Sequence, residues 1–315
     1  QSIILNKQLL KLYKRYKVLK QFIFYTYFHD EDYPSYSSPL DRSPTSIIVD
    51  FRSALRKFGI ESRSIRRKYK PTENAIVWGA YKEDICGDSN CRKYLSDEQR
   101  RRGLNTIVAE RGYIDRQDYY AIGFTNYPRE LNNESDFKNK GMPNDRAKQL
   151  SVKLEPWKKP DKKRKYVLVC GQTFNDANVD GVDYGEWLTK TLLMLLKTSD
   201  KKIVYRSHPL ETHQEIVIPQ GVRLSYDRSI EQDLEIAASV VSYNSNACVE
   251  AIIKGIPAFT FSKRSVAWDV TNHDLLDINN PKTFDRQQWL NDLAYSQWNL
   301  KEIEQGLPFK HLGIL

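Results

Sequence analysis

The run Val240-Val241-Ser242-Tyr243-Asn244-Ser245-Asn246-Ala247-Cys248-Val249-Glu250-Ala251-Ile252-Ile253-Lys254-Gly255-Ile256-Pro257-Ala258-Phe259 constrains the fold more than any other. An apolar strand-length run, a tight polar turn, apolar residues at helical spacing and a second strand entered through Gly and Pro make a strand-helix-strand unit. The turn is expected to leave amides of the new helix unpaired and pointing outward, with hydroxyl and amide side chains beside them, which suits a phosphate. Glu250 falls about one turn into that helix, where a carboxylate can hold sugar hydroxyls. In the plainer alternative, Asn and Ser only cap the helix.

The same alternation extends upstream. Strand Tyr166 to Cys170 is followed by a helix from Gly185 to Lys197, a strand from Lys202 to Tyr205, a short strand near Val222 to Leu224 and a helix from Ser229 to Ala238. Alternating strands and helices imply a parallel sheet covered on both faces, so this half is α/β and Rossmann-like. The N-terminal half is less regular, with strands expected at Ala75 to Gly79, Thr106 to Ala109 and Tyr120 to Gly123. The segment Asp285 to Gln305 carries Trp289, Leu293, Trp298 and Leu300 at mixed helical spacing and is expected to pack across an interdomain seam.

With 315 residues the chain has room for two domains, each with its own core. The run Pro156-Trp157-Lys158-Lys159-Pro160-Asp161-Lys162-Lys163-Arg164-Lys165 continues neither a helix nor a central strand and reads as the linker. The expected division is an N-terminal domain at 1–157, a Rossmann-like domain at 158–284 and a helical segment at 285–315. The formal net charge of +9 suits a polyanion, a membrane surface or an anionic substrate. Basic runs at Lys11 to Lys20 and Arg52 to Lys70 alternate with apolar residues and predict amphipathic helices. The apolar stretch Val18 to Phe28 is too short to span a bilayer, so any membrane association is expected to be peripheral. Cys86, Cys91, Cys170 and Cys248 form no metal-ligand pattern, and a reducing cytoplasm is the simplest setting.

Ligands of open α/β sheets sit beyond the carboxyl ends of the strands. Three loops there carry unusual residues: Gly171-Gln172-Thr173-Phe174-Asn175-Asp176-Ala177-Asn178-Val179, then Arg206-Ser207-His208-Pro209, then Asn244-Ser245-Asn246. In a parallel sheet they converge on one edge, as a nucleotide crevice requires.

This ordered set resembles the retaining β-Kdo glycosyltransferases of bacterial capsule and lipopolysaccharide assembly. The segment Val108-Ala109-Glu110-Arg111-Gly112-Tyr113-Ile114-Asp115-Arg116 is similar to the acidic motif of that group's N-terminal domain. The resemblance implies a GT-B-like architecture, two Rossmann-like domains facing a central cleft, with the donor held mainly by the C-terminal one. It implies a double displacement with Asp176 as nucleophile, Glu110 as base for the acceptor hydroxyl and His208 at the departing phosphate. Donor contacts would come from Gly171, Gln172, Arg206, Pro209, Asn244, Ser245, Asn246 and Glu250. Asp180 and Asp183 compete for the nucleophile's role, and Asn178 stands where Ser is more usual. The expected substrate is a nucleotide sugar, CMP-linked by preference, with a glycan acceptor, no cofactor and no metal. A rival reading moves the sugar onto a hydroxylated base in DNA, gripped by the basic helices. Another is a non-catalytic nucleotide-sugar or nucleic-acid binder. His273 is expected to be a satisfied histidine rather than a metal ligand.

Overall fold

The computed structural model describes residues 22–25, 44–65, 69–78, 92–124, 139–159, 163–174, 179, 181–209, 211 and 216–315. In chain order the elements are β1 (Phe22–Tyr25), α1 (Pro44–Lys57), β2 (Ser62–Ile65), β3 (Asn74–Trp78), α2 (Arg92–Arg101), β4 (Asn105–Arg111) and β5 (Tyr119–Phe124). They continue with α3 (Asp145–Gln149), β6 (Tyr166–Cys170), α4 (Tyr184–Thr198), β7 (Lys202–Arg206), β8 (Val222–Leu224), α5 (Ile230–Ile236), β9 (Ala237–Ser242) and α6 (Ala247–Ile253). Last come β10 (Ala258–Thr260), α7 (Gln287–Ala294), β11 (Gln297–Asn299), α8 (Leu300–Glu304) and α9 (Leu307–His311). No helix among the described residues is long and apolar enough to cross a membrane. The basic run Lys11 to Lys20 and the pair Cys86 and Cys91 lie outside the described residues.

Two compact units divide the chain: 1–112, 116–125 and 298–315 form the first, and 113–115 with 126–297 the second. The first holds a sheet in the order β11-β5-β4-β3-β1-β2. Its β1 pairs in parallel with β2 and β3, β3 pairs in parallel with β4, and β5 turns back antiparallel on β4. Gly112 opens that reversal because a Cβ there would lie 2.8 Å from the Tyr119 carbonyl oxygen. Helix α1 buries Phe51, Ala54 and Leu55, and Phe51 meets Phe309 edge-on at 6.0 Å.

The expectation of a basic helix across Arg52 to Lys70 is corrected: α1 stops at Lys57 and a strand follows. Gly59 is left-handed at φ 69, and the Phe58, Gly59 and Ile60 amides bond back to the last turn, a stop signal that the charge run obscures.

The second unit carries the sheet β10-β9-β6-β7-β8, parallel throughout. All five residues of β6 are buried, as expected of a central strand covered on both faces. Leu168, Val240, Ile252 and Leu293 belong to the core on one face; Val167, Val169, Leu188, Leu192 and Phe259 belong to the other. Helix α5 ends two residues short of the expected Ala238. Arg164 takes the carbonyls of Leu234 and Ala237 at 3.2 and 2.8 Å, and Ala237 pairs with Tyr166 in the sheet.

The expected boundary at 157 is also corrected. Residues 139–159 belong to the second unit, where the Glu155 and Lys158 amides donate to Ile253 and Gly255 at 2.9 and 2.7 Å. The Arg286 guanidinium stacks 3.8 Å from the Trp157 ring centroid. This pairing therefore overrides the linker-like composition. The C-terminal segment expected as one piece is divided: α7 belongs to the second unit and residues 298–315 to the first.

Candidate functional site

The order β10-β9-β6-β7-β8 places the topological switch point between β6 and β9, from which the chain winds outward in both directions. The loops that leave these two strands carry Gly171-Gln172 and Asn244-Ser245-Asn246, and they are fastened together. Gln172 is buried, and its Oε1 accepts from the Asn244 amide at 2.6 Å. Its own amide donates to the Tyr184 hydroxyl at 2.9 Å, and burial pushes that phenol well above its ordinary pKa, keeping it protonated. The neighbouring β7 loop joins through the Gly171 amide, which donates to the Arg206 carbonyl at 2.8 Å. A Cβ on Gly171 would lie 2.5 Å from the Tyr205 hydroxyl oxygen, so a larger residue there would require that tyrosine to shift.

Several amides of the turn into α6 are satisfied within the turn. Ser242 Oγ accepts from the Ser245 amide at 3.0 Å and shares a hydrogen bond with Cys248 Sγ at 3.1 Å. Ser245 Oγ accepts from the Ala247 amide at 3.3 Å, and the Ser245 carbonyl accepts from the Cys248 amide at 3.1 Å. The expectation of outward, unpaired amides is corrected for four of them: those of Asn244, Ser245, Ala247 and Cys248 have partners.

Asn246 makes no side-chain cap. Its Nδ2 instead donates to the Tyr113 carbonyl at 3.0 Å and to Glu250 Oε1 at 3.4 Å. Its Oδ1 is buried and has no partner among the described residues. Such an orphaned acceptor requires an explanation, and a ligand hydroxyl or amine supplies one. Tyr113 is itself fixed, because the Tyr113 and Ile114 amides both donate to Gln297 Oε1 at 2.8 and 2.9 Å. Asp115, next in this loop, is held at φ 48, an uncommon conformation for a residue with a Cβ.

The other candidates fall as follows. Arg206 ion-pairs with the buried Asp233 at 3.1 Å and donates to the Arg228 carbonyl at 2.6 Å. Asp233 also accepts from the hydroxyls of Ser225 at 2.7 Å and Tyr166 at 3.0 Å. Much of the Arg206 charge is therefore spent inside the protein. His208 is half-buried in the loop after β7, with its carbonyl accepting from the Glu211 amide at 2.8 Å, and Pro209 is exposed. Glu110 is exposed at the carboxyl end of β4, in the first unit, in register with Ala121. Asp176 and Asp180 lie outside the described residues. Asp183 caps α4 by accepting from the Glu186 amide at 2.9 Å.

Sequence reasoning missed Tyr113, Gln297 and Asp233, whose roles rest on contacts between residues distant in the chain. His273 is satisfied: Nδ1 lies 3.0 Å from the Thr260 carbonyl oxygen and the ring stacks on Trp268 at 3.4 Å. Among the described residues no cluster of three His, Cys, Asp or Glu side chains could hold a metal ion.

No protein-family model matches the sequence, and no curated protein matches it. Solved structures do. The chain is similar to a β-Kdo 2,4 transferase, KpsC of Thermosulfurimonas dismutans, with 13% identity over 93% of this chain and 99% of that one, at a TM-score of 0.58. It is similar to a KpsC β-Kdo 2,7 transferase of the same organism, with 16% identity, 92% and 99% coverage and a TM-score of 0.55. With two Rossmann-like units on the pattern of these transferases, the chain has a Kdo-transferase-like GT-B fold.

Proposed function

We propose that this chain is a glycosyltransferase that moves Kdo or a related acidic sugar from a CMP-linked donor to a glycan hydroxyl, with retention. The observation that carries the reading is the buried Asn246 Oδ1, without a partner among the described residues and beside Glu250, at the switch point where the β6 and β9 loops are fastened together. A ribose hydroxyl donating to Asn246 and bonding Glu250 would satisfy that acceptor. The fold of the KpsC structures supports the same reading.

In this reaction the Asp176 carboxylate attacks the anomeric carbon, forming an ester as the bond to the CMP phosphate breaks, with His208 donating a hydrogen bond to the departing oxygen. An acceptor hydroxyl then displaces the carboxylate and gives its proton to Glu110, which releases it to solvent and so restores the enzyme. Two inversions yield retention. A carboxylate nucleophile needs no base to activate it, because an unperturbed carboxylate is ionised at neutral pH.

Intact-protein mass spectrometry with CMP-Kdo and no acceptor tests the reading. An adduct of one sugar mass mapping to Asp176, with Asp176→Asn losing both adduct and transfer while still binding CMP, is expected. Full transfer by Asp176→Asn with no adduct on any carboxylate would refute the double displacement.

A further inference from the structure

The second unit has a cavity on the edge of its sheet opposite the switch-point loops. It has a volume of about 190 Å³, and Lys158, Lys159, Arg164 and Lys201 line it together with one carboxylate, Asp200. Its apolar floor includes Pro257 and Ile278, both buried. The lining sits at strand beginnings: Lys201 precedes β7, Pro257 precedes β10 and Ala238 is the second residue of β9. The cavity is therefore separate from the site at the carboxyl ends.

Cations at this edge have an ordinary use, since helices end here and their carbonyls favour positive charge. Arg164 meets that need by donating to Leu234 and Ala237, at the end of α5. Lys158 is neutralised by its ion pair with Glu155. Lys159 and Lys201 do neither: their ammonium groups have no partner among the described residues, yet they converge from separate chain segments on one cavity. Without Lys158 the lining carries three cationic residues against one carboxylate, a balance of two positive charges. That complements a phosphomonoester, which carries about −1.5 to −2 at neutral pH. At about 190 Å³ the cavity falls short of the roughly 300 Å³ at which pockets for whole drug-sized ligands begin, so a head group enters and the rest stays outside.

We propose that this cavity is a second ligand site, specific for a terminal phosphoryl group and distinct from the donor site. The phosphoryl group could belong to a membrane lipid or to a soluble phosphorylated compound, and the experiment separates the two. The Lys159→Gln/Lys201→Gln variant removes both unpaired charges from the rim, and Lys148→Gln/Lys153→Gln removes the same charge from exposed positions elsewhere in the unit. Inorganic phosphate is titrated by calorimetry into each full chain at low ionic strength. Each chain is also sedimented with phosphatidylcholine vesicles with and without phosphatidic acid. The unsubstituted chain should bind phosphate, and the rim variant should lose at least about tenfold in affinity while the control variant keeps it. Phosphatidic-acid vesicles binding more tightly than free phosphate, again dependent on Lys159 and Lys201, identify a lipid; vesicle binding no tighter than that identifies a soluble ligand. Equal phosphate and vesicle binding by the unsubstituted chain and the rim variant, or equal losses in the rim and control variants, overturn the site. Matching urea-unfolding curves establish that the variants are folded.

Discussion

The Asp183 carboxylate closes the N-terminus of α4 by accepting from the Glu186 amide, although on sequence alone it competed with Asp176 and Asp180 for a catalytic role. Sequence spacing places all three in one polar loop; only backbone geometry says which is a cap. Asp183→Ala should accordingly cost about 1 kcal/mol of stability, read as a shift in urea midpoint, and leave sugar transfer intact. Loss of transfer without loss of stability would move the nucleophile to Asp183. The cysteines give a second test at this scale. Burial pushes the Cys248 thiol up to about 12 and Cys170 well above its ordinary value. Both then stay protonated in the folded chain while unfolded thiols ionise near 8.5. Their contribution to stability is complete below that pH and is lost as pH climbs towards the folded value. Iodoacetamide at pH 8.5 should leave Cys170 and Cys248 unmodified in the native protein and label both in urea; native labelling at the rate of a free thiol would contradict their burial.

Two strands of the second unit were legible: β6 as an uninterrupted apolar run and β8 as two apolar residues flanking Arg223, at Tyr166–Cys170 and Val222–Leu224. The failures have local causes. Strand β2 was hidden in a basic run, and a four-residue turn through the left-handed Gly59 separates it from α1. The start of β9 looked like more of α5, since Ala237 and Ala238 suit a helix until the pairing with β6 claims them. The tie between the β6 and β9 loops was legible only in part. Gln172 and Asn244 were both singled out as donor contacts, but nothing in the sequence shows the side chain of one holding the backbone of the other. Gln172→Ala leaves the Asn244 amide without its acceptor and should cost about 1–3 kcal/mol. The same change should weaken CMP binding in calorimetry, because the two loops lose their common anchor. An unchanged unfolding midpoint would show that the bond is dispensable.

At the scale of the molecule, motif order pointed to the fold, while the division into units was misplaced because composition was taken as the guide. Prolines and lysines from Pro156 onward look like a tether, yet Glu155 and Lys158 are hydrogen-bonded to the end of α6 and the turn after it. Gly255, left-handed at φ 71, allows this approach, and any Cβ there would collide with the Pro156 carbonyl. The parallel sheet then puts the loops proposed to hold the donor at one edge and the cationic cavity at the other, so the two proposed ligands would not compete. The central claim is that the nucleotide occupies the carboxyl edge at the β6/β9 switch point. A crystal structure of the chain with CMP tests it most directly. The account predicts the nucleotide between the loops that begin at Gly171 and Tyr243, with a ribose hydroxyl on Asn246 Oδ1 and Glu250; CMP bound elsewhere, with Asn246 Oδ1 still unpartnered, would contradict it.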